Sequence, residues 1–252
     1  MNFETEFHGK RVVITGAAGI MGRALVDHFA NAGAEVCATD LTTDGLEGFA
    51  VAAELTTDEG LQHLLETVKA RWGAPDIVVN NAAIYPSSFL LDMEIKDWDS
   101  IMGVNVRAPF VLMRGFALQM ITAKHGGAFI NISSGAARKM RRTAVTYCMS
   151  KTALDRMTKG FALELAEYGI RVNCLEPGFA AGSAVSSISQ EHIKRVMAAI
   201  PLETETSPED VGQAALYLAS NAAKNITGTS LAVDGGNSAG TMDVYQDKKS
   251  AL

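Results

Sequence analysis

The sequence of 252 residues has little of what secreted, membrane-spanning or nucleic-acid-binding proteins need. Its three cysteines, Cys37, Cys148 and Cys174, form an odd and scattered set, which predicts neither a disulfide framework nor a metal site. The formal net charge of −6 gives no general attraction for nucleic acid or for anionic membranes. No apolar run approaches the ~20 residues that span a bilayer. We therefore expect no metal, no nucleic-acid partner and no membrane.

The N-terminal segment 1–6 is acidic and lacks the basic and then apolar pattern of a signal peptide. Together with the scattered cysteines, this favours a cytoplasmic protein. Hydrophobic residues make up 48% of the chain and charged residues 20%, so a sizeable buried core is expected. No repeat, linker or long charge run divides the chain. A single domain over 1–252, with a polar tail at 237–252, is the prediction.

Short apolar runs alternate with helical patterns. Strands are predicted at 11–15, 35–39, 76–80, 128–133, 170–175 and 230–233, and helices at 20–32, 97–123, 146–168 and from Ser207 onward. The segment between Asp40 and Glu54 is interpreted as a loop or one helical turn. This alternation predicts an α/β fold, a doubly wound parallel sheet with helices on both faces. Ligands of such sheets bind beyond the carboxyl ends of the strands.

A glycine-bearing turn at 15–22 links the first predicted strand to the first predicted helix. Glycine lets backbone N–H groups approach a pyrophosphate, and the helix directs its positive end at the anion. A merely structural turn is the alternative, because a glycine pattern alone is weak evidence. The position of the glycine turn, directly after the first predicted strand, favours a dinucleotide site at Gly16, Gly19, Ile20, Met21 and Gly22.

Asp40 ends the second predicted strand, 24 residues after Gly16, where an acid can accept hydrogen bonds from the adenine ribose. A carboxylate there repels a 2′-phosphate, and no Lys or Arg lies within 16–22 or directly after Asp40. The sequence therefore predicts NAD rather than NADP as cofactor. A solvated acid at a strand end is the alternative.

Tyr147 and Lys151 stand one helical turn apart, so in a helix their side chains share a face. A phenol with a pKa near ~10 is a poor base at neutral pH, but a nearby ammonium and an oxidised nicotinamide would lower that pKa. Ser134 follows a predicted strand, as Asn81 follows the strand before it. Asn105 lies within a predicted helix, where Asn is intrinsically unfavourable. Tyr and Lys at this spacing are common on exposed helices. The pair therefore indicates a catalytic site only together with Ser134, Asn81 and Asn105.

These motifs, in this order, resemble the short-chain dehydrogenase/reductase family from Arg11 to about Gly236. The motifs are the glycine turn, Asn81-Ala82-Ala83, Asn105, Ser134, Tyr147-x-x-x-Lys151, Pro177-Gly178 and Asp234-Gly235-Gly236. The resemblance implies a strand order of 3-2-1-4-5-6-7 and a homotetramer or homodimer. It also implies hydride transfer between the nicotinamide of NAD and a small-molecule secondary alcohol or its ketone.

The same resemblance implies a role for each matching residue. Tyr147 would be the general acid/base on the substrate oxygen, and Ser134 would hydrogen-bond that oxygen. Lys151 would bind the nicotinamide ribose and lower the pKa of Tyr147, and Asn105 would hold a water that relays protons through Lys151. The resemblance also implies cofactor-binding residues outside the glycine turn. These are Asp40, Leu41, Glu54, Leu55, Asn81, Ala82, Ala83, Tyr147, Lys151, Pro177, Gly178, Phe179 and Ala180. Within this set, Glu54 and Leu55 would flank the adenine ring.

Three positions depart from the family's usual pattern. Ile20 stands where short members have the middle glycine, and Gly19 lies one position earlier. Glu54 stands where Asp is frequent. Gly182 occupies the place of a Thr that commonly bonds the carboxamide, and Ser183 is the candidate substitute.

The substrate walls are expected at 84–91, 135–143 and 179–200, the last a candidate mobile lid. The basic run 138–142 is interpreted as a solvated or intersubunit loop; an arginine that contacts an anionic substrate is the alternative. Glu176 either steers a polar substrate or pairs with a nearby base, and the sequence leaves both readings open.

Other functions compete with NAD-dependent alcohol oxidation. The basic run favours NADPH-dependent reduction of acyl thioesters, which Asp40 opposes. A dinucleotide-binding scaffold without turnover would not need Ser134, Tyr147 and Lys151 together. A nucleic-acid-binding protein has little support from a pI of about 5.4.

Overall fold

Seven parallel strands form the sheet of the computed structural model, which describes residues 3, 6–180 and 189–242. The strands are β1 Arg11–Thr15, β2 Glu35–Asp40, β3 Phe49–Ala52, β4 Ile77–Asn80, β5 Gly127–Ile132, β6 Ile170–Pro177 and β7 Ser230–Val233. Their spatial order is β3-β2-β1-β4-β5-β6-β7, which confirms the predicted doubly wound α/β sheet. The order reverses between β1 and β4, and this switch point opens a ligand crevice at the carboxyl edge.

Helices cover both faces of this sheet. They are α1 Ile20–Asn31, α2 Asp58–Trp72, α3 Ile95–Met102, α4 Ala108–Thr122, α5 Val145–Leu165, α6 Gln190–Met197 and α7 Pro208–Ala219. Side chains alternate along each strand, so Val13 packs in one buried cluster while Val12 and Ile14 pack in another. The first cluster receives α2 and α4, and the second receives α1 and α7.

Two elements differ from the sequence prediction. The segment after Asp40, predicted as a loop or helical turn, contains β3, whose residues pair with the end of β2. Gly45 and Gly48 both have positive φ and turn the chain back without a crossover helix. Helix α2 was not predicted, although Thr57 caps it by accepting a hydrogen bond from the N–H of Gly60, and acidic residues fill its first turn.

The predicted helix 97–123 is interrupted by a π-helical turn at Gly103–Arg107, which separates α3 from α4. Among the described residues, the whole run Ile95–Thr122 is long and apolar enough to cross a membrane by length and composition. The expectation that no such run exists is therefore wrong. Leu112 and Phe116 of this run lie in the core against the sheet, as in the core helix of many folded proteins.

Candidate active site

The turn after β1 brings backbone N–H groups to the carboxyl edge of the sheet. Gly16 has a φ of +66°, and a Cβ there would lie 2.8 Å from Cα of Ala82. A Cβ on Gly22 would overlap the carbonyl oxygen of Gly16, so this glycine lets α1 begin against the turn. A Cβ on Gly19 would meet only that oxygen, at 3.5 Å. Packing thus does not require glycine at Gly19, and the space over the N-terminus of α1 is open to an anion.

Thr15 and Asn81 lock this turn to the end of β4. Oγ1 of Thr15 accepts hydrogen bonds from the N–H groups of Asn81 and Ala82, both at 3.0 Å. Nδ2 of Asn81 donates to the carbonyls of Thr15 and Gly16, also at 3.0 Å. Thr15 is a positioning residue that the sequence analysis missed, although a buried Thr at the end of a strand before a glycine turn was a usable signal.

Asp40 closes the other side of the turn. Its Oδ2 accepts a hydrogen bond from the N–H of Ala18 at 2.9 Å, and its Oδ1 accepts one from the N–H of Leu41 at 2.8 Å. Each carboxylate oxygen has a second acceptor site, so these bonds leave Asp40 able to bind ribose hydroxyls. The neighbouring side chains of Leu41 and Ile20 are 63% and 53% exposed, and they border this position with apolar surface.

Arg23 is a cation at this turn that the sequence analysis missed. It lies one residue beyond the glycine motif, in the first turn of α1. Its Nε donates to the carbonyl of Ala18 at 2.9 Å, and its Nη1 donates to the carbonyl of Gly45 at 2.9 Å. Within the described part of the chain it forms no ion pair, and it binds the carbonyl of the same Ala18 whose N–H binds Asp40.

Glu54 and Leu55 lie between β3 and α2. The exposed Glu54 is engaged locally, because its Oε1 accepts hydrogen bonds from the N–H and the hydroxyl of Thr56, at 3.1 and 2.7 Å. Leu55 is 7% exposed and its side chain packs in the core. The part of Leu55 that would flank an adenine ring is therefore its backbone, and this role stays a prediction.

Ser134, Tyr147 and Lys151 converge beyond the carboxyl end of β5. Ser134 lies two residues beyond the end of β5, and its hydroxyl forms a hydrogen bond with the Tyr147 phenol. Tyr147 lies in the first turn of α5, and Nζ of Lys151 is 5.7 Å from the centroid of its ring. The two side chains therefore share one face of α5, as their spacing predicts, and that face looks toward the crevice.

Lys151 is almost fully buried, with 2% exposure. Its Nζ donates to the carbonyl of Ile132 at 2.8 Å, and Oγ of Ser133 donates to its backbone carbonyl at 3.3 Å. Burial, which disfavours the charged form, lowers the pKa of Lys151 to about 8. The ammonium is thus held at the end of β5 with donors left for a further partner.

The pKa of Tyr147 differs from the sequence expectation. Burial raises it above its ordinary value of 10, and the hydrogen bond from Ser134 and the charge of Arg141 oppose that rise only in part. Lys151 was expected to supply the lowering effect, but its ammonium is directed at the Ile132 carbonyl. In the protein without a cofactor, the phenol is therefore held in its neutral form.

Asn105 lies in the π-helical turn and is 1% exposed. Its Oδ1 accepts a hydrogen bond from the N–H of Ile84 at 2.9 Å. Its Nδ2 donates to the carbonyl of Ile84 at 2.9 Å and to Oγ of Ser150 at 3.0 Å. The amide thus ties the exit of β4 to α5, and only the second lone pair of Oδ1 remains for the water that the resemblance implied. Local π-helical turns frequently occur at functional sites.

The end of β6 forms the next wall of the crevice. The N–H of Gly178 donates to the carbonyl of Val233 at 3.0 Å, and a Cβ on Gly178 would lie 2.7 Å from Cα of Asp234. The carbonyl of Phe179 accepts a hydrogen bond from the N–H of Thr206 at 2.8 Å. Pro177, Gly178, Phe179 and Ala180 are all partly buried at this edge. Gly182 and Ser183 lie outside the described residues, and α6 occupies part of the predicted lid.

Arg138 and Glu176 connect the Ser134 loop to β6. Nε of Arg138 donates to Oε2 of Glu176 at 2.5 Å, and Glu176 is 2% exposed. Burial raises the pKa of Glu176, and the Arg138 guanidinium acts in the opposite direction. Of the two readings left open for Glu176, pairing with a base is the one observed.

The other basic residues of the run 138–142 make different contacts. Lys139 donates from Nζ to the carbonyl of Asn237. The guanidinium of Arg141 lies over the Tyr147 ring, 5.9 Å from its centroid, and that of Arg142 lies over the exposed Phe89 ring at 5.3 Å. The run is therefore not uniformly solvated, and Arg141 approaches the proposed general acid/base.

The cysteines do not contribute a metal site or a redox group to this arrangement. Cys37, Cys148 and Cys174 are buried free thiols. Burial raises the pKa of Cys37 and of Cys174 to about 12, so both are unreactive thiols at neutral pH. Across the described ranges, no group of three or more His, Cys, Asp or Glu side chains could hold a metal ion.

Comparison with known sequences finds relatives along nearly the whole chain. The sequence profile of the family described as enoyl-(acyl carrier protein) reductase matches residues 16–238. A 3-oxoacyl-(acyl-carrier-protein) reductase of Thermotoga maritima is 32% identical over 240 residues, which is 90% of this chain and 97% of that protein. A D-threitol dehydrogenase of Mycolicibacterium smegmatis is 31% identical over 254 residues, or 94% of this chain and 95% of that protein.

Solved structures resemble the fold equally closely. A Beutenbergia cavernae protein described as an NAD(P)-dependent gluconate 5-dehydrogenase, with NADP bound at low occupancy, superposes with a TM-score of 0.87. It is 32% identical, over 93% of this chain and 99% of that one. A short chain dehydrogenase from Leptospira borgpetersenii with bound NAD+ has a TM-score of 0.88 at 25% identity, over 94% of this chain and 96% of that one.

Proposed function

The chain belongs to the short-chain dehydrogenase/reductase family of oxidoreductases, and we propose from this premise that it is an NAD-dependent alcohol dehydrogenase or ketoreductase. Its substrate would be a small-molecule secondary alcohol or the corresponding ketone. The observation that carries the proposal is the convergence of Ser134, Tyr147 and Lys151 at the carboxyl end of β5, on the same edge of the sheet as the glycine turn after β1. Ligands of doubly wound sheets bind at this edge.

The side chains divide the acid–base work as follows. Ser134 donates a hydrogen bond to the substrate oxygen and holds it near the phenol of Tyr147. In alcohol oxidation, the Tyr147 phenolate accepts the hydroxyl proton; in ketone reduction, the neutral phenol donates it. Lys151 keeps a positive charge one helical turn away and has donors for the ribose of the nicotinamide. The nicotinamide, when bound, accepts or supplies the hydride.

The turn residues fit a dinucleotide. Gly16 and Gly22 permit the close approach of the turn to α1, and the open space at Gly19 leaves the helix N-terminus accessible to a pyrophosphate. Asp40 retains acceptor capacity for the adenine ribose, and its negative charge disfavours a 2′-phosphate. These turn residues together support NAD rather than NADP as the cofactor.

NADPH-dependent reduction of a 3-ketoacyl thioester is the second candidate. The unpaired Arg23 guanidinium supports it, because a cation close to Asp40 can offset the repulsion of a 2′-phosphate. The similarity to the Thermotoga maritima reductase also favours it.

The first test is the ratio of kcat/KM for NAD to kcat/KM for NADP, measured by NADH or NADPH absorbance over a panel of secondary alcohols and ketones. We expect NAD to be preferred, and Leu41→Arg to shift the ratio toward NADP about 10- to 100-fold by adding a charge-assisted hydrogen bond. Arg23→Gln should leave the use of NAD unchanged. A wild-type preference for NADP that Arg23→Gln abolishes would instead establish the second candidate.

We also propose that the protein is cytoplasmic and assembles as a homotetramer or homodimer. Apolar side chains on the outer faces of α4 and α5 support self-association: Phe110 is 46% exposed, Leu118 51% and Leu163 82%. Sedimentation equilibrium that returned a monomer would refute the assembly.

A further inference from the structure

Arg141 stands beside the reacting phenol without an acidic partner. Its guanidinium lies 5.9 Å from the centroid of the Tyr147 ring, and the side chain is exposed on the substrate side of α5. Over residues 6–180 and 189–242, Arg141 forms no ion pair, whereas Arg138 in the same run is bound to Glu176. An arginine in this state can bind an anion without first breaking another bond.

The backbone holds Arg141 in this position at the expense of local strain. Thr143 has a φ of +67°, a conformation that is rare for a β-branched residue. The turn is closed by a hydrogen bond from the N–H of Ala144 to the carbonyl of Arg141 at 3.1 Å. The carbonyl of Thr143 also accepts a hydrogen bond from the N–H of Ser88 at 2.9 Å, which joins this turn to the opposite substrate wall. Strained backbone of this kind concentrates at ligand-binding sites.

Aromatic and apolar side chains lie on the two segments that carry Arg141 and its wall partner Ser88. The Tyr85 ring packs on that of Tyr147, with 5.7 Å between the centroids. Phe89, Leu90 and Met140 are 52%, 58% and 65% exposed along the same two segments. Of the two guanidinium groups here, only that of Arg141 lies over the Tyr147 ring, whereas that of Arg142 lies over Phe89. A cation beside the reacting phenol and next to apolar side chains favours a ligand with one anionic group on a short carbon skeleton.

We propose that Arg141 forms an anion subsite that binds a carboxylate of the substrate, close to the carbon that exchanges hydride. The substrate class is then a short 2- or 3-hydroxy acid or the matching keto acid. This inference rests on the proposed function, since it names the substrate of the same site. A phosphate at the far end of a pantetheine arm does not fit, because the whole arm would separate it from a thioester held at Tyr147.

The test compares short hydroxy acids with their methyl esters, which differ only in the charge that Arg141 would bind. Wild-type enzyme should favour an acid, such as 3-hydroxybutyrate, over its ester in kcat/KM. Arg141→Gln should raise KM for the acid about 10- to 100-fold and leave KM for the ester within about threefold, because only the acid loses a charge-assisted hydrogen bond. Arg141→Lys should recover part of the loss, since it restores the charge without the planar fork.

Arg142→Gln is the matched control, because it removes the same charge from the adjacent residue, whose guanidinium faces Phe89. It should change KM for acid and ester alike by less than about threefold, as expected for a screened surface charge. Equal losses for acid and ester in Arg141→Gln, or a wild-type preference for esters or for acetoacetyl-CoA over acids, would overturn the subsite while leaving dehydrogenase activity established. Absence of turnover with every alcohol and ketone, neutral or acidic, would overturn the proposed function and the subsite together.

Discussion

Tyr147→Phe should lower kcat for alcohol oxidation about 10²- to 10⁴-fold, the range that general acid–base catalysis contributes. The substitution removes only the phenol oxygen, because the ring still packs against Tyr85 and lies under Arg141. Binding of NAD should persist within about threefold, as measured by quenching of protein fluorescence. Steady-state rates and cofactor titrations on the same preparation separate the two effects.

Tyr168→Phe serves as the control for this substitution. Tyr168 follows the end of α5 and is 44% exposed, at the opposite end of this helix from Tyr147. Loss of its hydroxyl should leave kcat unchanged. If Tyr147→Phe kept more than about one tenth of the wild-type rate, the general acid/base would have to be another group.

The pH dependence of the two reaction directions should differ. Burial raises the pKa of Tyr147, so the phenolate required for oxidation is scarce at neutral pH and the oxidation rate should rise with pH. Reduction requires the neutral phenol, which is present at neutral pH, so its rate should stay level there and fall only in alkali. An oxidation rate independent of pH between about 6 and 9 would contradict this assignment.

Arg138→Met should destabilise the protein by about 2 kcal/mol at pH 7, because it leaves the carboxylate of Glu176 buried without its partner. The value lies below the ~3–5 kcal/mol typical of fully buried pairs, since Arg138 is 45% exposed. Urea denaturation of wild type and variant measures the difference. Arg142→Met, which removes a guanidinium from a surface ring contact, should change stability by less than about 0.5 kcal/mol.

The pH dependence and a double variant sharpen this prediction. The folded-state pKa of Glu176 is already raised, and loss of Arg138 raises it further, so the destabilisation should grow as pH rises through that range and nearly vanish in acid. Arg138→Met combined with Glu176→Leu should recover most of the loss, because both buried polar partners are then removed. A double variant as unstable as the sum of the single variants would show that the pair is not coupled.

The alternation of strands and helices predicted a doubly wound parallel sheet, and helical spacing predicted the shared face of Tyr147 and Lys151, because both are local patterns. The order of the strands came from the resemblance to the family and not from any local pattern. It misjudged the segment 40–54, where β3 is short and owes its strand conformation to pairing with β2. Helix α2 was overlooked even though Thr57 supplies a cap signal.

The features that the sequence did not predict depend on tertiary contacts. No local pattern reveals that Arg138 meets Glu176, since the two lie on different elements that only the fold brings together. For the same reason, the sequence could not show that Lys151 is directed at the Ile132 carbonyl, and so it predicted an acidic phenol where burial dominates. The hydrogen bonds of the Asn105 amide to Ile84 and Ser150 likewise depend on the π-helical turn and could not be predicted from the sequence.

The central claim is that positive charge beside a bound dinucleotide offsets the burial of the Tyr147 phenol. The most direct measurement is an ultraviolet difference titration of tyrosinate, wild type minus Tyr147→Phe, with and without saturating NAD+. The account predicts a pKa for Tyr147 above 10 in the free protein, and a downward shift of at least about one unit when NAD+ is bound, as a nearby opposite charge produces. A pKa that NAD+ leaves unchanged, in a protein shown to bind it, would contradict the account.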